Sequence, residues 1–135
     1  TYLLISSLPT YFAASMKLLC EDVRRDLFHT AERPIYTKVR NSPPTIYLPS
    51  SQVRSSYIAD GCVIEGTVEN CVLFRGVKIG KGTVVKNSVL LQGTELGERC
   101  KMNSIITDKN VKISNEKVLT GSETYPLYIG KNASI

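Results

Sequence analysis

Four stretches of the chain fall into register when they are written one beneath another: VRSSYIADGCVI (53–64), VENCVLFRGVKI (68–79), VKNSVLLQGTEL (85–96) and KMNSIITDKNVKI (101–113). They share the pattern aliphatic, x, x, Ser or Cys, x, aliphatic, x, x, Gly, x, x, aliphatic. Self-similarity of this kind is typical of repeat architectures. Eleven of the twelve positions in the three aliphatic columns are aliphatic, in a chain that is 42% hydrophobic, so the repeat is not a chance pattern. The columns are Val53, Val68, Val85 and Lys101; Ile58, Leu73, Leu90 and Ile106; and Ile64, Ile79, Leu96 and Ile113.

The spacing within the repeat predicts an all-β solenoid. Aliphatic residues five or six positions apart cannot share one face of a single strand or helix, but they share an inward column if the chain turns after each short strand. Each turn then rests on the previous one, and the backbone groups bond from rung to rung as in a parallel sheet. The corners would require glycine, which is found three residues after the second aliphatic column at Gly61, Gly76 and Gly93.

The fourth copy departs from this pattern. Lys109 stands where the earlier copies have glycine, and one extra residue precedes Ile113. We therefore expect the coil to end there and to be capped, because an exposed solenoid end leaves unpaired backbone groups. Beside the strands, three asparagines are spaced to form an amide ladder: Asn70, Asn87 and Asn103.

The segment before the repeats predicts a helix from about Ser7 to Phe28. Its apolar residues follow helical spacing, and Ser7 is suited to cap the first turn. A break near Cys20 would divide the segment into two short helices. The apolar stripe requires a surface to pack against, and it consists of Phe12, Met16, Leu19, Val23 and Leu27.

Residues 33–52 differ in composition from the rest of the chain, because they contain four of its six prolines. Each proline lacks a backbone donor and disfavours helix before it, so this stretch is expected to be extended. We interpret it as a strap docked on another surface. The chain thus divides into a helical segment over 1–32, a proline-rich strap over 33–52 and a solenoid with its C-terminal cap over 53–135.

Composition excludes several classes of function. The net charge is +5, but the basic residues are scattered, which favours small anionic ligands or acidic protein partners over nucleic acid. No apolar run reaches the roughly 20 residues that span a bilayer. Cys20, Cys62, Cys71 and Cys100 form no CxxC pair and have one histidine, His29, to share a metal with, so neither a zinc site nor a disulfide is expected. A cytoplasmic protein fits these features.

The chain resembles the glucose-1-phosphate adenylyltransferase (ADP-glucose pyrophosphorylase) family. The resemblance rests on RPIYTKVRNSPPT (33–45), which leads into VRSSYIADGCVIEGTVENCVLFRGVKIGKGTVV (53–85), and on ISSLPTYFAASMKLL (5–19). It implies a left-handed parallel β-helix of hexapeptide type, placed after an N-terminal nucleotidyltransferase domain that makes ADP-glucose for glycogen. This chain would then carry the regulatory and assembly half, with no catalytic residue, metal or cofactor of its own.

Two features of the resemblance bear on function. In the stretch YLLISS (2–7), Leu4 occupies the position of an aspartate that helps catalytic members hold Mg²⁺, and leucine offers no oxygen ligand. The resemblance therefore implies a non-catalytic partner subunit that binds itself or a catalytic subunit.

The tail YIGKNASI (128–135) resembles a stretch whose lysine binds the phosphate of a sugar-phosphate effector. Lys131 matches that lysine, and Lys38 and Arg40 of the strap are further candidates for this effector, a sugar phosphate or a nucleotide.

Two other functions remain open on the sequence. A hexapeptide acyltransferase would need a histidine base, and the repeats contain no histidine. A solenoid that serves only as a scaffold would bind no ligand. Ligand-induced changes in melting temperature distinguish this possibility from a regulatory domain.

Overall fold

A computed structural model describes residues 3–28 and 43–135. In these residues two helices precede fifteen short strands, which form three parallel sheets of five strands each. Successive strands belong to successive sheets, so the chain winds as a triangular coil, and the expected parallel β-helix of hexapeptide type is confirmed. The helices are α1 (Leu8–Lys17) and α2 (Glu21–Phe28). The strands are β1 (Ile46–Tyr47), β2 (Gln52–Arg54), β3 (Tyr57–Ile58), β4 (Val63–Ile64), β5 (Thr67–Glu69), β6 (Val72–Leu73), β7 (Lys78–Ile79), β8 (Val84–Lys86), β9 (Val89–Leu90), β10 (Glu95–Leu96), β11 (Lys101–Asn103), β12 (Ile105–Thr107), β13 (Lys112–Ile113), β14 (Val118–Thr120) and β15 (Leu127–Ile129).

The sheets stack in a fixed register. The first sheet has the order β1-β4-β7-β10-β13, the second β2-β5-β8-β11-β14 and the third β3-β6-β9-β12-β15. The third aliphatic column of the repeat is confirmed, since Ile64, Ile79, Leu96 and Ile113 are paired rung by rung and are at most 4% exposed. The core of the coil is therefore a set of stacked aliphatic columns, as the repeat predicted.

The fourth copy is shifted by one residue from the prediction in the other two columns. Val85 pairs with Met102 rather than with Lys101, and Leu90 pairs with Thr107 rather than with Ile106. The fourth copy is therefore MNSIITDKNVKI (102–113). It has twelve residues, like the other copies, so no residue is inserted before Ile113. The prediction was wrong because it required an aliphatic residue in the second column. The structure instead buries Thr107 there, and its hydroxyl lies 2.9 Å from the Thr94 hydroxyl.

The corners confirm the role of glycine and correct the fourth turn. Gly61, Gly76 and Gly93 have φ between +69° and +76°, which glycine adopts without strain. In the fourth turn Asn110, with φ of +58°, occupies this position rather than Lys109. Asparagine tolerates the left-handed region better than most residues. The coil also continues past Ile113 through β14 and β15, so it does not end where the altered repeat suggested.

The asparagine ladder runs along one side of the coil. The amide nitrogen of Asn70 donates to the carbonyl oxygen of Asn87 at 2.6 Å, and that of Asn87 donates to Asn103 at 3.3 Å. The ladder predicted from the sequence is therefore confirmed. By register, however, Ser104 occupies the rung position after Asn87, and Asn103 reaches the ladder from the neighbouring position.

The two helices lie along the side of the coil. Ser7 caps α1 as predicted, and the helical segment is interrupted between Lys17 and Glu21, close to Cys20. Phe12 is 2% exposed and packs against the outward faces of the third sheet at Val72, Val89 and Ile106. This contact explains why the outward positions of these strands are apolar. Neither helix of the described residues has the length and apolar character needed to cross a membrane.

The first strand falls within the stretch interpreted as the strap. β1 pairs with β4 through Ile46↔Val63 and Tyr47↔Ile64, so this part of the strap forms a rung of the coil. The hydroxyl of Thr45 donates to the carbonyl of Ala59 at 2.7 Å and helps fix the entry into this rung.

Candidate functional site

The structure places Lys131 at the corner that follows β15, on the last rung of the coil. Its side chain is exposed. The other two candidate effector residues, Lys38 and Arg40, and the single histidine, His29, lie outside the described residues. The part of the candidate site that the structure describes consists of Lys131 and its neighbours.

Lys109 is the closest stacked neighbour of Lys131 on the previous rung. Thr107 pairs with Ile129, and the amide of Asn132 donates to the carbonyl of Lys109 at 3.0 Å. These two bonds set the two lysines at equivalent positions of adjacent rungs, which are separated by about 4.8 Å in a parallel sheet. Sequence reasoning did not identify Lys109 as a site residue, because the shifted frame assigned it to the glycine corner.

The lysine pair continues a column of polar residues along this corner. The same type of backbone bond links Asp60 to Gly76, Arg75 to Gly93 and Gln92 to Asn110. The order of the column along the coil is Asp60, Arg75, Gln92, Lys109 and Lys131. The cations are thus concentrated toward the C-terminal end of the coil, which is the end where an anion would be attracted.

A short hydrogen bond supports the corner that carries the two lysines. The hydroxyl of Tyr128 donates to Asp108 Oδ2 at 2.6 Å, and the amide of Lys109 donates to Asp108 Oδ1 at 2.7 Å. The bond from Tyr128 is the largest influence that lowers the pKa of Asp108, followed by the amide of Lys109. The same bond raises the pKa of Tyr128. Asp108 is therefore a carboxylate and Tyr128 a neutral phenol at physiological pH, and together they tie β15 to the loop after β12.

The positions of Lys109 and Lys131 suit the binding of an anion. Two ammonium groups on adjacent rungs offer point charges to a phosphate, and Lys side chains bind phosphate in this way. Within residues 3–28 and 43–135, no group of three or more His, Cys, Asp and Glu side chains could hold a metal ion. The thiols of Cys62 and Cys71 are buried, and desolvation raises the pKa of both, to about 12 for Cys71, so neither is an activated nucleophile.

The fold defines the class of protein as a hexapeptide-repeat parallel β-helix. Residues 48–124 match the family described as GlmU-like, C-terminal hexapeptide, and the chain belongs to this family.

The curated relatives that the chain resembles include glycogen biosynthesis proteins and glucose-1-phosphate adenylyltransferases. It is 43% identical over 127 residues to the glycogen biosynthesis protein GlgD of Bacillus subtilis, which covers 94% of this chain and 37% of the relative. It is 61% identical over 72 residues to GlgD of Geobacillus stearothermophilus, covering 53% of this chain and 21% of the relative. It is 33% identical over 120 residues to the glucose-1-phosphate adenylyltransferase of Desulforamulus reducens, covering 89% of this chain and 27% of the relative. The matched part of the chain thus spans between about a fifth and little more than a third of the length of these relatives.

Proposed function

We propose that the chain is the regulatory and oligomerisation domain of a glucose-1-phosphate adenylyltransferase-type subunit in glycogen biosynthesis, and that this subunit is the non-catalytic partner. The observation that carries the proposal is the difference in identity between the two kinds of relative. For the two relatives from Geobacillus stearothermophilus, identity is 61% over 72 residues to GlgD and 45% over 82 residues to the glucose-1-phosphate adenylyltransferase. Over longer matches, it is 43% to GlgD of B. subtilis and 33% to the adenylyltransferase of D. reducens. Such a subunit would act in the cytoplasm, where its buried thiols remain reduced.

Leu4 supports the non-catalytic assignment. In the resemblance drawn from the sequence, this residue occupies the place of an aspartate that helps hold Mg²⁺. Leu4 is 60% exposed just before α1, and its side chain has no oxygen to offer a hard cation. A subunit with leucine at this position would depend on a catalytic partner for ADP-glucose synthesis.

Lys109 and Lys131 are the proposed contacts to an anionic effector, either a sugar phosphate or a nucleotide. Lys131 comes from the resemblance, and Lys109 is added by the register of the coil. A phosphate between two ammonium groups on adjacent rungs would offset the repulsion between them. Lys38 and Arg40 of the strap remain candidates for the same ligand.

The open edge of the coil supports the proposed role in assembly. β14 and β15 are edge strands that pair on one side only, with β11 and β12 respectively. Val118 at this edge is 66% exposed. Unpaired strand edges with exposed apolar residues are surfaces that oligomers commonly cover. The proposed partners are a catalytic glucose-1-phosphate adenylyltransferase subunit or a second copy of this chain.

The deciding experiment measures ADP-glucose formation by the full-length parent, expressed alone and together with a catalytic subunit. We expect no turnover from this chain or from the parent alone. Turnover and effector response in the co-expressed pair should differ from those of the catalytic subunit alone, since the coupling acts between sites. Robust turnover by the parent alone would contradict the non-catalytic assignment. A strict monomer in light scattering, with no retention of the catalytic subunit, would contradict the role in assembly.

The effector contacts require a separate test with a matched control. Phosphorylated hexoses and adenine nucleotides should raise the melting temperature of this chain, because a ligand that binds only the folded state stabilises it. Lys131→Ala and Lys109→Ala should each remove that shift. Lys81→Ala changes an exposed lysine at a different corner and should leave it intact. If none of these ligands shifts the melting temperature, the chain is a scaffold without an effector site.

A further inference from the structure

Two adjoining depressions lie along the first turns of the coil and extend to Asn110, which directly follows Lys109. One has a volume of about 390 Å³ and lies between the turn after α1 and the third sheet. The other has a volume of about 300 Å³ and follows the glycine corner. Arg75 and Gln92 line both of them, so the two depressions form one groove, which we call the corner groove.

The first half of the corner groove is apolar and holds two exposed aromatic rings. Tyr57 is 50% exposed and Phe74 is 40% exposed, while Val72 between them is 4% exposed. The guanidinium of Arg24 lies 5.6 Å from the centroid of the Tyr57 ring and donates to the carbonyl of Leu18 at 2.7 Å. The position of the Tyr57 ring is therefore supported by α2, and Phe74 presents a second apolar face to solvent.

The second half of the corner groove is polar and has a floor of glycine. Gly61, Gly76 and Gly93 replace side chains with backbone here, and a Cβ atom at Gly76 would meet nothing within 4 Å. This opening allows a ligand to approach the backbone closely. The polar side chains that line this half are Asp60, Arg75, Gln92 and Asn110.

These polar side chains are not used by the fold. In the part of the chain that the structure describes, none of the four forms a side-chain hydrogen bond or an ion pair. Charges on adjacent rungs do pair on the other faces, as in Lys78 and Glu95 at 3.6 Å. The donors and acceptors of the corner groove are therefore available to a ligand.

We propose that the corner groove binds a neutral oligosaccharide of pyranose sugars. The C–H faces of a pyranose ring are apolar and stack on exposed aromatic rings, while its hydroxyl groups need both donors and acceptors. Tyr57 and Phe74 supply the rings, and carboxylate, amide and guanidinium groups supply planar pairs of hydrogen-bonding atoms. Among the residues that line the groove, Asp60 is negative and Arg75 is positive, and the Arg24 guanidinium lies over the Tyr57 ring. Stacking on the two rings, rather than the charge of the groove, therefore favours a sugar. The proposal does not depend on the effector site or on the role of Leu4.

Isothermal titration calorimetry of this chain with maltoheptaose and with cellohexaose tests the proposal, the two probes differing in glycosidic linkage. Binding of either probe with an affinity that Phe74→Ala lowers by about tenfold, which corresponds to about 1.4 kcal/mol, supports it. Gln92→Ala should weaken binding several-fold through the polar half. Tyr125→Ala removes an aromatic ring that is 81% exposed elsewhere on the surface and should leave the affinity unchanged.

Three outcomes would overturn the proposal. The first is that neither oligosaccharide binds at millimolar concentration. The second is that Phe74→Ala and Tyr125→Ala weaken binding equally, which would indicate nonspecific stacking. The third is that only phosphorylated sugars bind, with an affinity that depends on Lys131 and not on Phe74. Phe74 is partly exposed, so its variant is expected to fold. If circular dichroism shows otherwise, Gln92→Ala decides the same question.

Discussion

The buried pair Thr94 and Thr107 provides a quantitative test of the register. Both residues are 0% exposed, and their hydroxyl oxygens are 2.9 Å apart. The Thr94 hydroxyl also donates to the carbonyl of Leu91 at 2.9 Å, which leaves Thr107 to donate to Thr94. Among the described residues, Thr94 is therefore the only side-chain partner of the Thr107 hydroxyl. Removing one member of the pair should have a different effect from removing the other.

The expected free energies of unfolding follow from this asymmetry. Thr107→Val removes the hydrogen bond that Thr107 donates, while Thr94 remains bonded to Leu91. The resulting loss of about 1 kcal/mol in the free energy of unfolding is largely offset by burial of the new methyl group. Thr94→Val removes a hydrogen bond and also leaves the Thr107 hydroxyl buried without a partner, which costs roughly 1–3 kcal/mol in addition. The double variant should recover most of that additional loss. The predicted coupling energy is thus about 1–3 kcal/mol.

Urea unfolding of the wild type, both single variants and the double variant measures this coupling. Each variant keeps the shape of the side chain, so packing changes are small. Additive effects of Thr94→Val and Thr107→Val would refute the hydrogen bond. A large loss from Thr107→Val alone would contradict the assigned donor direction, because the Thr94 hydroxyl keeps its bond to Leu91 in that variant.

Two further predictions concern the core and the last rung. Leu73→Asp should abolish folding as seen by circular dichroism, because it places an unpaired charge at a core position that is 1% exposed. Arg54→Ala at an exposed position should leave the melting temperature unchanged. A folded Leu73→Asp variant with an unchanged melting temperature would contradict the column assignment. Tyr128→Phe should raise the pKa of Asp108 toward its ordinary value of 3.8, measured by NMR titration, because the phenol is the main group that lowers it. In the wild type, the Asp108 contribution to stability is present above pH 3.8 and is lost as the pH falls through the lowered pKa. The Tyr128 contribution is present below pH 10 and is lost as the pH rises through the raised pKa. An unchanged Asp108 pKa in the variant would exclude the hydrogen bond.

The repeat was sufficient to predict the architecture, and it failed where a polar residue takes a core position. Stacked columns at Ile64, Ile79, Leu96 and Ile113 follow from aliphatic spacing alone. Thr107 is an exception because its buried hydroxyl forms a hydrogen bond with the Thr94 hydroxyl at the neighbouring corner. This partner lies thirteen residues away and is visible only once the coil is formed. The error of one residue then moved Lys109 from its stacked position to the glycine corner.

The outward faces of the strands were harder to predict from the repeat. Val72, Val89 and Ile106 are apolar because Phe12 of α1 covers them, and the contact joins segments about sixty to ninety residues apart. The apolar stripe of the helix indicated that a surface was needed, but the repeat did not show which face would provide it. In the same way, Tyr128 became part of the lysine corner only when β15 was seen to pair with β12. Interactions between distant segments are the part that spacing rules cannot supply.

The proposed effector site and the proposed assembly edge share one structural element. Lys131 follows directly from β15, an edge strand that is paired only with β12. Edge elements with a single pairing partner are the first to open locally. A subunit that covered this edge would stabilise the rung that presents Lys131, and so would increase the affinity of the lysine pair for an anion. By linkage, an anion bound to Lys109 and Lys131 would strengthen the assembly by the same factor. In the proposed function, a regulatory signal would therefore pass between effector and partner subunit through a single rung, without any rearrangement of the coil.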